Sequence, residues 1–327
     1  MIIIPYVTSM KKQLSVLLFL LCVWSVVLAQ HRKEFTIVQT SIPPKIDAVP
    51  TDTVWDAAYS IRDFIQQSPT NGGVPSQHTE VRMLYDNEAI YVLAMLYDTK
   101  PDSIYAEIGD RDSGDEANAD LFSVEINPYN DGLNATEFMV SAAGVQMDSK
   151  NDLQTMNKSW DAVWKSEVKK TDIGWIVEMK IPFSALRFPN TNTQVWEINF
   201  FRLIKRNGEG ITWNFVDKNK NGWLNQAGEM HGIRGISPPL RLSFMPYIAT
   251  YYNDNKFLIK GGLDVKVGLN ESFTLDMMLI PDFGQTRADD TYLNLSSVET
   301  KYDEKRQFFT EGTELFSKGD IFYSRRI

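Results

Sequence analysis

Side chains able to do chemistry fall into three groups here: two acidic loops, a set of tryptophans beside polar loops, and three histidines. In the first loop, Asp110-Arg111-Asp112-Ser113-Gly114-Asp115-Glu116, several carboxylate oxygens come within a few residues, and Asp120 follows. A hard cation such as calcium is held by oxygen ligands alone, which makes Asp112, Asp115 and Asp120 the candidate metal ligands. The loop lacks the ligand order of an EF-hand, so its expected state is a solvated acidic loop with no cofactor. Asp217-Lys218-Asn219-Lys220-Asn221-Gly222 alternates Asx residues in a similar way, but its lysines and missing closing glutamate argue against calcium.

Catalysis finds little footing. Glycoside hydrolysis needs two carboxylates facing each other across a cleft, and no motif singles out such a pair. His31 is near the terminus, His78 sits in a Pro/Gln loop, and His231 lies near a proline pair; no serine stands in a nucleophile-elbow context. The chain reads as non-catalytic. Its tryptophans offer something else, because an aromatic face stacks on apolar ligand surfaces while its N–H donates. Trp160 and Trp164 share one strand face or one helical turn, and Trp213 and Trp223 flank a polar Asp/Asn/Lys loop, so these four are the candidates for ligand contact. Trp55, Trp175 and Trp196 are expected in the core.

The elements that must position these residues read as strands. Short strand-like runs mark segments 79–85, 89–97, 121–126, 136–141, 175–181 and 194–202, with turn residues such as Asn130-Asp131-Gly132 and Asp172-Ile173-Gly174 between them. Only segments 52–60 and 183–186 read as helical, and both are short. The expected fold class is all-β: an antiparallel β-sandwich over residues 30–238, closed by Ser237-Pro238-Pro239. Residues 239–327 alternate again, most clearly from Phe257 to Leu269 and from Phe273 to Leu279, as the first strands of an incomplete β-barrel do. At most five strands fit before Ile327, where the smallest membrane barrels need about eight. The chain is expected to stop with most of that barrel missing.

Composition narrows the partners. The chain is 43% hydrophobic and 23% charged, which fits a folded chain, and a net charge of -9 with a pI near 5.0 excludes nucleic acid as an expected partner. Lys11-Lys12, an apolar run over 14–28 and Val27-Leu28-Ala29 have the order of a secretory signal peptide, so residues 1–29 are expected to be removed. The mature charge then becomes -11, and loss of Cys22, the single cysteine, leaves neither disulfides nor thiolate sites. The expected location is the periplasm or the outer membrane.

Several segments in register resemble family 9 carbohydrate-binding modules: Pro44-Lys45-Ile46-Asp47 with Asp52-Thr53-Val54-Trp55, Glu80-Val81-Arg82-Met83-Leu84-Tyr85-Asp86 with Ala89-Ile90-Tyr91-Val92, Asp120 leading into a strand, Gly174-Trp175-Ile176-Val177-Glu178 with Ile181-Pro182, and Trp196-Glu197-Ile198-Asn199-Phe200. The resemblance implies a sugar clamped between two tryptophans, with charged and amide side chains on its hydroxyls. One clamp position falls in Asp115-Glu116-Ala117-Asn118, which has no aromatic residue, and the second falls near Trp223. The family's sugar-binding glutamate, arginine and asparagine align with Ser123, Met139 and Ser141, so the same glycan mode is not expected. Trp223, Trp213, Trp160 and Trp164 remain the carbohydrate-binding candidates. After the prolines, Ile280-Pro281-Asp282-Phe283-Gly284-Gln285, Glu304-Lys305-Arg306-Gln307-Phe308-Phe309 and the segment from Ile321 to Ile327 are similar to the start of a large domain of unknown function. That domain follows family 9-like modules and is expected to form an outer-membrane barrel. The resemblances imply an exported glycan-binding module on a barrel protein, with a cell-envelope or other polysaccharide as partner. The alternatives are an accessory part of a glycoside hydrolase in carbohydrate catabolism, with catalytic residues not identifiable here, and a purely structural periplasmic module gating the barrel.

Overall fold

The computed structural model describes residues 32–113, 117–153, 156–158, 160–238, 242–253, 256–269 and 273–280. The expected signal peptide with its cleavage point, Asp115, and the segment from Pro281 to Ile327 lie outside the described residues. In chain order the strands up to residue 234 are β1 (Glu34–Thr36), β2 (Val38–Gln39), β3 (Ser60–Ile61), β4 (Ile65–Ser68), β5 (Thr79–Tyr85), β6 (Ala89–Tyr97), β7 (Leu121–Asn127), β8 (Asn134–Ser141), β9 (Gln146–Asp152), β10 (Met156–Asn157), β11 (Lys165–Thr171), β12 (Gly174–Pro182), β13 (Thr193–Ile204), β14 (Glu209–Thr212) and β15 (Gly228–Arg234). Among the described residues, helical structure is limited to single 3-10 turns, including Thr53–Ala57 and Phe183–Ala185, both within the segments that read as helical.

The strands form two layers. The first sheet runs β1-β15-β13-β7-β8-β9-β10, with β14 beside β13 and β4 beside β14; the second runs β11-β12-β6-β5-β2, with β3 beside β5. Pairing is antiparallel throughout except at two margins, where β1 runs parallel to β15 and β2 parallel to β5. The parallel exceptions arise because residues 34–39 pass from one layer to the other, with Ile37 buried between them.

Alternation puts the core between the layers. Phe122, Val124 and Ile126 of β7, Phe138 and Val140 of β8, and Trp196, Ile198 and Phe200 of β13 face Val92, Ala94, Leu96, Val177 and Met179 of the second sheet. Full burial of each large apolar side chain stabilises the fold by about 1.5–3 kcal/mol. Trp55, Trp175 and Trp196 are buried as expected, Trp55 in a smaller cluster on the outer side of the second sheet. There the Glu178 carboxylate accepts the N–H groups of Asp47, Ala48 and the Trp55 indole at 2.8, 2.8 and 3.2 Å, which ties the N-terminal loop down.

One cation crosses the core. Arg202, on the inward face of β13, is fully buried and donates to the carbonyls of His78 and Tyr97 and to the Thr79 hydroxyl at 2.9, 2.7 and 3.0 Å. Those acceptors belong to the other layer, so a guanidinium joins the sheets where apolar packing ends. Beside it, Arg206 grips Asp98 with two bonds of 2.8 and 2.9 Å.

A separate three-stranded sheet follows: β16 (Leu242–Asn253), β17 (Lys256–Gly268) and β18 (Thr274–Leu279). Its register pairs Phe244 with Val265, Pro246 with Leu263, Tyr252 with Phe257, Val265 with Met277 and Val267 with Leu275. One face is therefore apolar across all three strands, and Phe244, Ile248, Tyr252, Phe257, Ile259 and Leu279 on it are exposed. The opposite face carries Ser243, Asp264, Lys266, Thr274 and Asp276, with Lys266 and Asp276 3.4 Å apart.

Arg202→Ala removes the donor from the buried Thr79 hydroxyl and the bond that joins the layers to the Tyr97 and His78 carbonyls, and is expected to lower unfolding stability by about 3 kcal/mol. Denaturant unfolding followed by tryptophan fluorescence checks this.

Candidate functional site

Because Phe122, Val124 and Ile126 point inward, Ser123, Glu125 and Asn127 must point outward from β7. The register sets Glu137 of β8 opposite Glu125, Asn199 of β13 opposite it on the other side, and Glu197 opposite Asn127. On β9, Ser149 lies opposite Glu137, and Asn151 lies opposite Ala135. The outer face of the larger sheet is thus a floor of carboxylates, amides and hydroxyls.

These groups hold one another. The Ser123 hydroxyl donates to Glu137 Oε1 at 2.7 Å, and Asn151 Nδ2 donates to Glu137 Oε2 at 3.0 Å and to Glu125 Oε2 at 3.5 Å. Asn127 Nδ2 and the Gly132 N–H both donate to Glu197 Oε2, at 2.7 and 2.8 Å. Asn199 Oδ1 accepts the N–H of Asn214 at 2.9 Å, which anchors the segment entering the 217–226 loop.

That loop delivers the aromatic group. The Gln226 side chain accepts the Asp217 N–H at 2.9 Å and donates to the Gly222 carbonyl at 2.6 Å, stapling the loop to itself. Gly222 has φ +78, and a Cβ there would lie 3.1 Å from Leu153, so the turn needs both glycine's conformation and its small size. The turn directs Trp223 over the floor, where its indole N–H donates to Glu125 Oε2 at 3.1 Å. Of the described tryptophans, Trp223 is the one that is half-buried rather than buried.

Electrostatics mark the same spot. Burial, then repulsion from Glu137, raises the Glu125 carboxyl to about 8, against weaker help from the Trp223 and Asn151 donors. Yet Glu125 keeps solvent contact, and its Oε1 accepts no hydrogen bond among the described residues. At neutral pH it keeps its proton and can both donate and accept.

The structure corrects the expected aromatic set. Trp213 is buried against Phe35 and Phe200, with centroids 5.5 and 5.8 Å away. Trp160 and Trp164 pack edge-on against Phe138, and the Trp164 indole donates to Asp148 at 2.7 Å. These rings spend their faces on the core, and Trp223 alone of the four keeps partial exposure. The metal candidates do not converge either. Asp112 joins Asp148 and Asp161 in a cluster with oxygens within 4.8 Å, and Arg111 lies 3.7, 2.5 and 3.3 Å from the three as their counter-ion. Asp120 is buried elsewhere and accepts the Lys205 N–H at 3.0 Å.

Sequence reading missed Glu125, Glu137 and Asn151. The available signal was polar residues at every second position inside apolar strands, as in Leu121-Phe122-Ser123-Val124-Glu125-Ile126-Asn127. Ser141, aligned with a sugar-binding asparagine, is fully buried and turned to its own loop, accepting the N–H groups of Ala143 and Val145. An open cleft of about 940 Å³ lined by Lys45, Tyr91, Arg111, Gln146 and Lys180 shares no residue with this floor. Three of its cations are already paired: Lys45 with Asp47, Lys180 with Glu88 and Arg111 with Asp148.

Comparison with known proteins agrees with this architecture. Residues 46–228 match the family described as carbohydrate family 9 binding domain-like, and residues 238–327 match a domain of unknown function, DUF5916. No curated protein matches. A Bacteroides uniformis structure described as a carbohydrate-binding protein is 12% identical with a TM-score of 0.50, covering 62% of this chain and 100% of that one, a likeness of fold alone. A family 9 module from Caldicellulosiruptor kristjanssonii in complex with cellotriose is 15% identical with a TM-score of 0.45, covering 61% and 93%. The same kind of module in complex with glucose gives 15% and 0.46, covering 62% and 97%. With its two-layer sandwich and a match over more than half its length, the chain belongs to the carbohydrate family 9 binding domain-like family.

Proposed function

We propose that this chain is a non-catalytic saccharide-recognition module, exported and carried on an outer-membrane β-barrel that begins in its C-terminal strands. The observation that carries the reading is Trp223, held half-open over Glu125, Glu137 and Asn151 on the outer face of the larger sheet. A sugar offers an apolar C–H face to an indole and hydroxyl groups to fixed acceptors and donors, and this floor supplies both. Saccharide complexes of the family 9 modules from Caldicellulosiruptor kristjanssonii favour the same ligand class. The residues here differ from the resemblance, since Ser123, Met139 and Ser141 replace the expected contacts. Glu125 stands two positions along β7 from Ser123, on the same face.

Binding is favoured over hydrolysis by the placing of the acids. Glu125 and Glu137 stand side by side on neighbouring strands and share the Asn151 amide, whereas a glycosidase pair flanks the bond it cleaves. The membrane half of the proposal rests on the C-terminal sheet, whose strands of 12 and 13 residues carry an apolar face and a polar face. A lipid-facing and a lumen-facing side are what a transmembrane barrel requires.

Three outcomes are expected. On affinity gels the full chain should be weakly retained by cellulose and xylan, and firmly retained by at least one cell-envelope glycan. Trp223→Ala should weaken that retention about tenfold or more, as loss of a stacked ring does; retention by no glycan would end the reading. Glu125 has its carboxyl raised by burial, so the folded state binds the extra proton between the ordinary carboxylate range and about pH 8. Its contribution is present at pH 5 and lost as pH rises towards 8, so wild type should lose more thermal stability over that interval than Glu125→Gln. Finally, Ile248→Asp places a charge on the apolar face, and should shift the chain out of the outer-membrane fraction on sucrose gradients.

A further inference from the structure

Every partner of Glu125 and Glu137 among the described residues is a neutral donor: an indole, an amide or a hydroxyl. No lysine or arginine answers either carboxylate. Glu197, a third acid on the same face, accepts from the Asn127 amide and the Gly132 N–H. Some buried acids in this chain meet arginine, as Asp98 does with Arg206 at 2.8 Å and Asp148 with Arg111 at 2.5 Å. Beneath Trp223, Glu125 and Glu137 therefore meet only neutral donors among the described residues, and Glu125 Oε1 accepts no hydrogen bond.

Resting on the saccharide reading, we infer that this site selects sugars bearing a protonated amine over neutral sugars, and rejects acidic ones. An ammonium group carries three donors and one positive charge, and Glu125 and Glu137 lie on adjacent strands where one such group reaches both. A hexose hydroxyl offers a donor but leaves the charge unanswered. A uronate or phosphate brings an anion and no donor charge to this pair of carboxyl groups, and like-charge juxtaposition opposes both its binding and loss of the Glu125 proton. The groups facing Glu125 from each neighbouring element are Glu137 on β8, Asn151 on β9, Asn199 and Glu197 on β13, and Trp223 on its loop; none is basic. Burial that holds a proton on Glu125 adds a signature: an arriving ammonium ion displaces that proton to buffer.

Isothermal titration of the full chain in detergent, with glucosamine, glucose and glucuronate at pH 6.5, tests the inference. The expected result is glucosamine binding about tenfold tighter than glucose, the gain of one charge-assisted bond, with no heat from glucuronate. Glucosamine heats should differ between phosphate and Tris buffers in proportion to the proton released, and the glucose heats should not. Glu125→Gln should abolish the buffer dependence and narrow the preference; Glu137→Gln, which keeps Glu125, should narrow it separately. Equal affinity for glucose and glucosamine would overturn the inference and leave the saccharide reading standing. Binding of none of the three, with no retention on any glycan gel, would overturn that reading as well.

Discussion

Carboxylates taken out of bulk water govern how this molecule is built, because each must find donors or remain protonated. The chain solves that requirement in three ways. Glu178 receives two backbone N–H groups and an indole, and its burial fastens the N-terminal loop to the second sheet. Asp98 is matched by Arg206 at the inter-sheet end, next to the Arg202 that bridges the layers. Glu125 is given only amide and indole donors on one oxygen, stays partly exposed, and has its carboxyl raised to about 8 by burial and by Glu137. The first two arrangements are complete and structural. The third is incomplete, and that incompleteness is what gives a ligand something to do.

The sandwich makes that incompleteness stable. β7, β8 and β13 are clamped from within by Phe122, Val124, Phe138, Trp196 and Phe200, so their outward side chains are held at a fixed register whether or not they are satisfied. The turn at Gly132 and the 217–226 loop then wall the floor; a Cβ on Gly132 would lie 3.1 Å from Asn225. Trp223 is directed by backbone geometry rather than by apolar packing, which is why it keeps solvent contact while the other described tryptophans lose it.

The C-terminal sheet follows a different rule. Its three strands put Phe244, Ile248, Tyr252, Phe257, Ile259 and Leu279 on one exposed side and charged residues on the other. In water such a face is a liability; against acyl chains it is the ordinary outer wall of a barrel. The two halves thus differ in where apolar side chains go: inward between sheets in the module, outward from a single sheet beyond it.

Period two was legible in the sequence because a residue's inward or outward direction in a strand is a local property of the backbone. The β5, β6, β7, β8, β12 and β13 segments and the two-layer class were legible as strand-like runs between turn residues, and Trp175 and Trp196 took the core places expected of them. β9 and β11 were not: Gln146-Met147-Asp148-Ser149-Lys150-Asn151-Asp152 and Lys165-Ser166-Glu167-Val168-Lys169-Lys170-Thr171 carry little apolar alternation, and their strands exist because their neighbours pair with them. The site escaped for the same reason. Whether Trp213 or Trp223 is covered, and whether Glu125 meets an arginine or only an amide, depends on segments far apart in the chain, 98 residues for Trp223 and Glu125 and more for Phe35 and Trp213. Alternation is written residue by residue, whereas burial and charge compensation are properties of what packs alongside, and only the assembled sheets decide them.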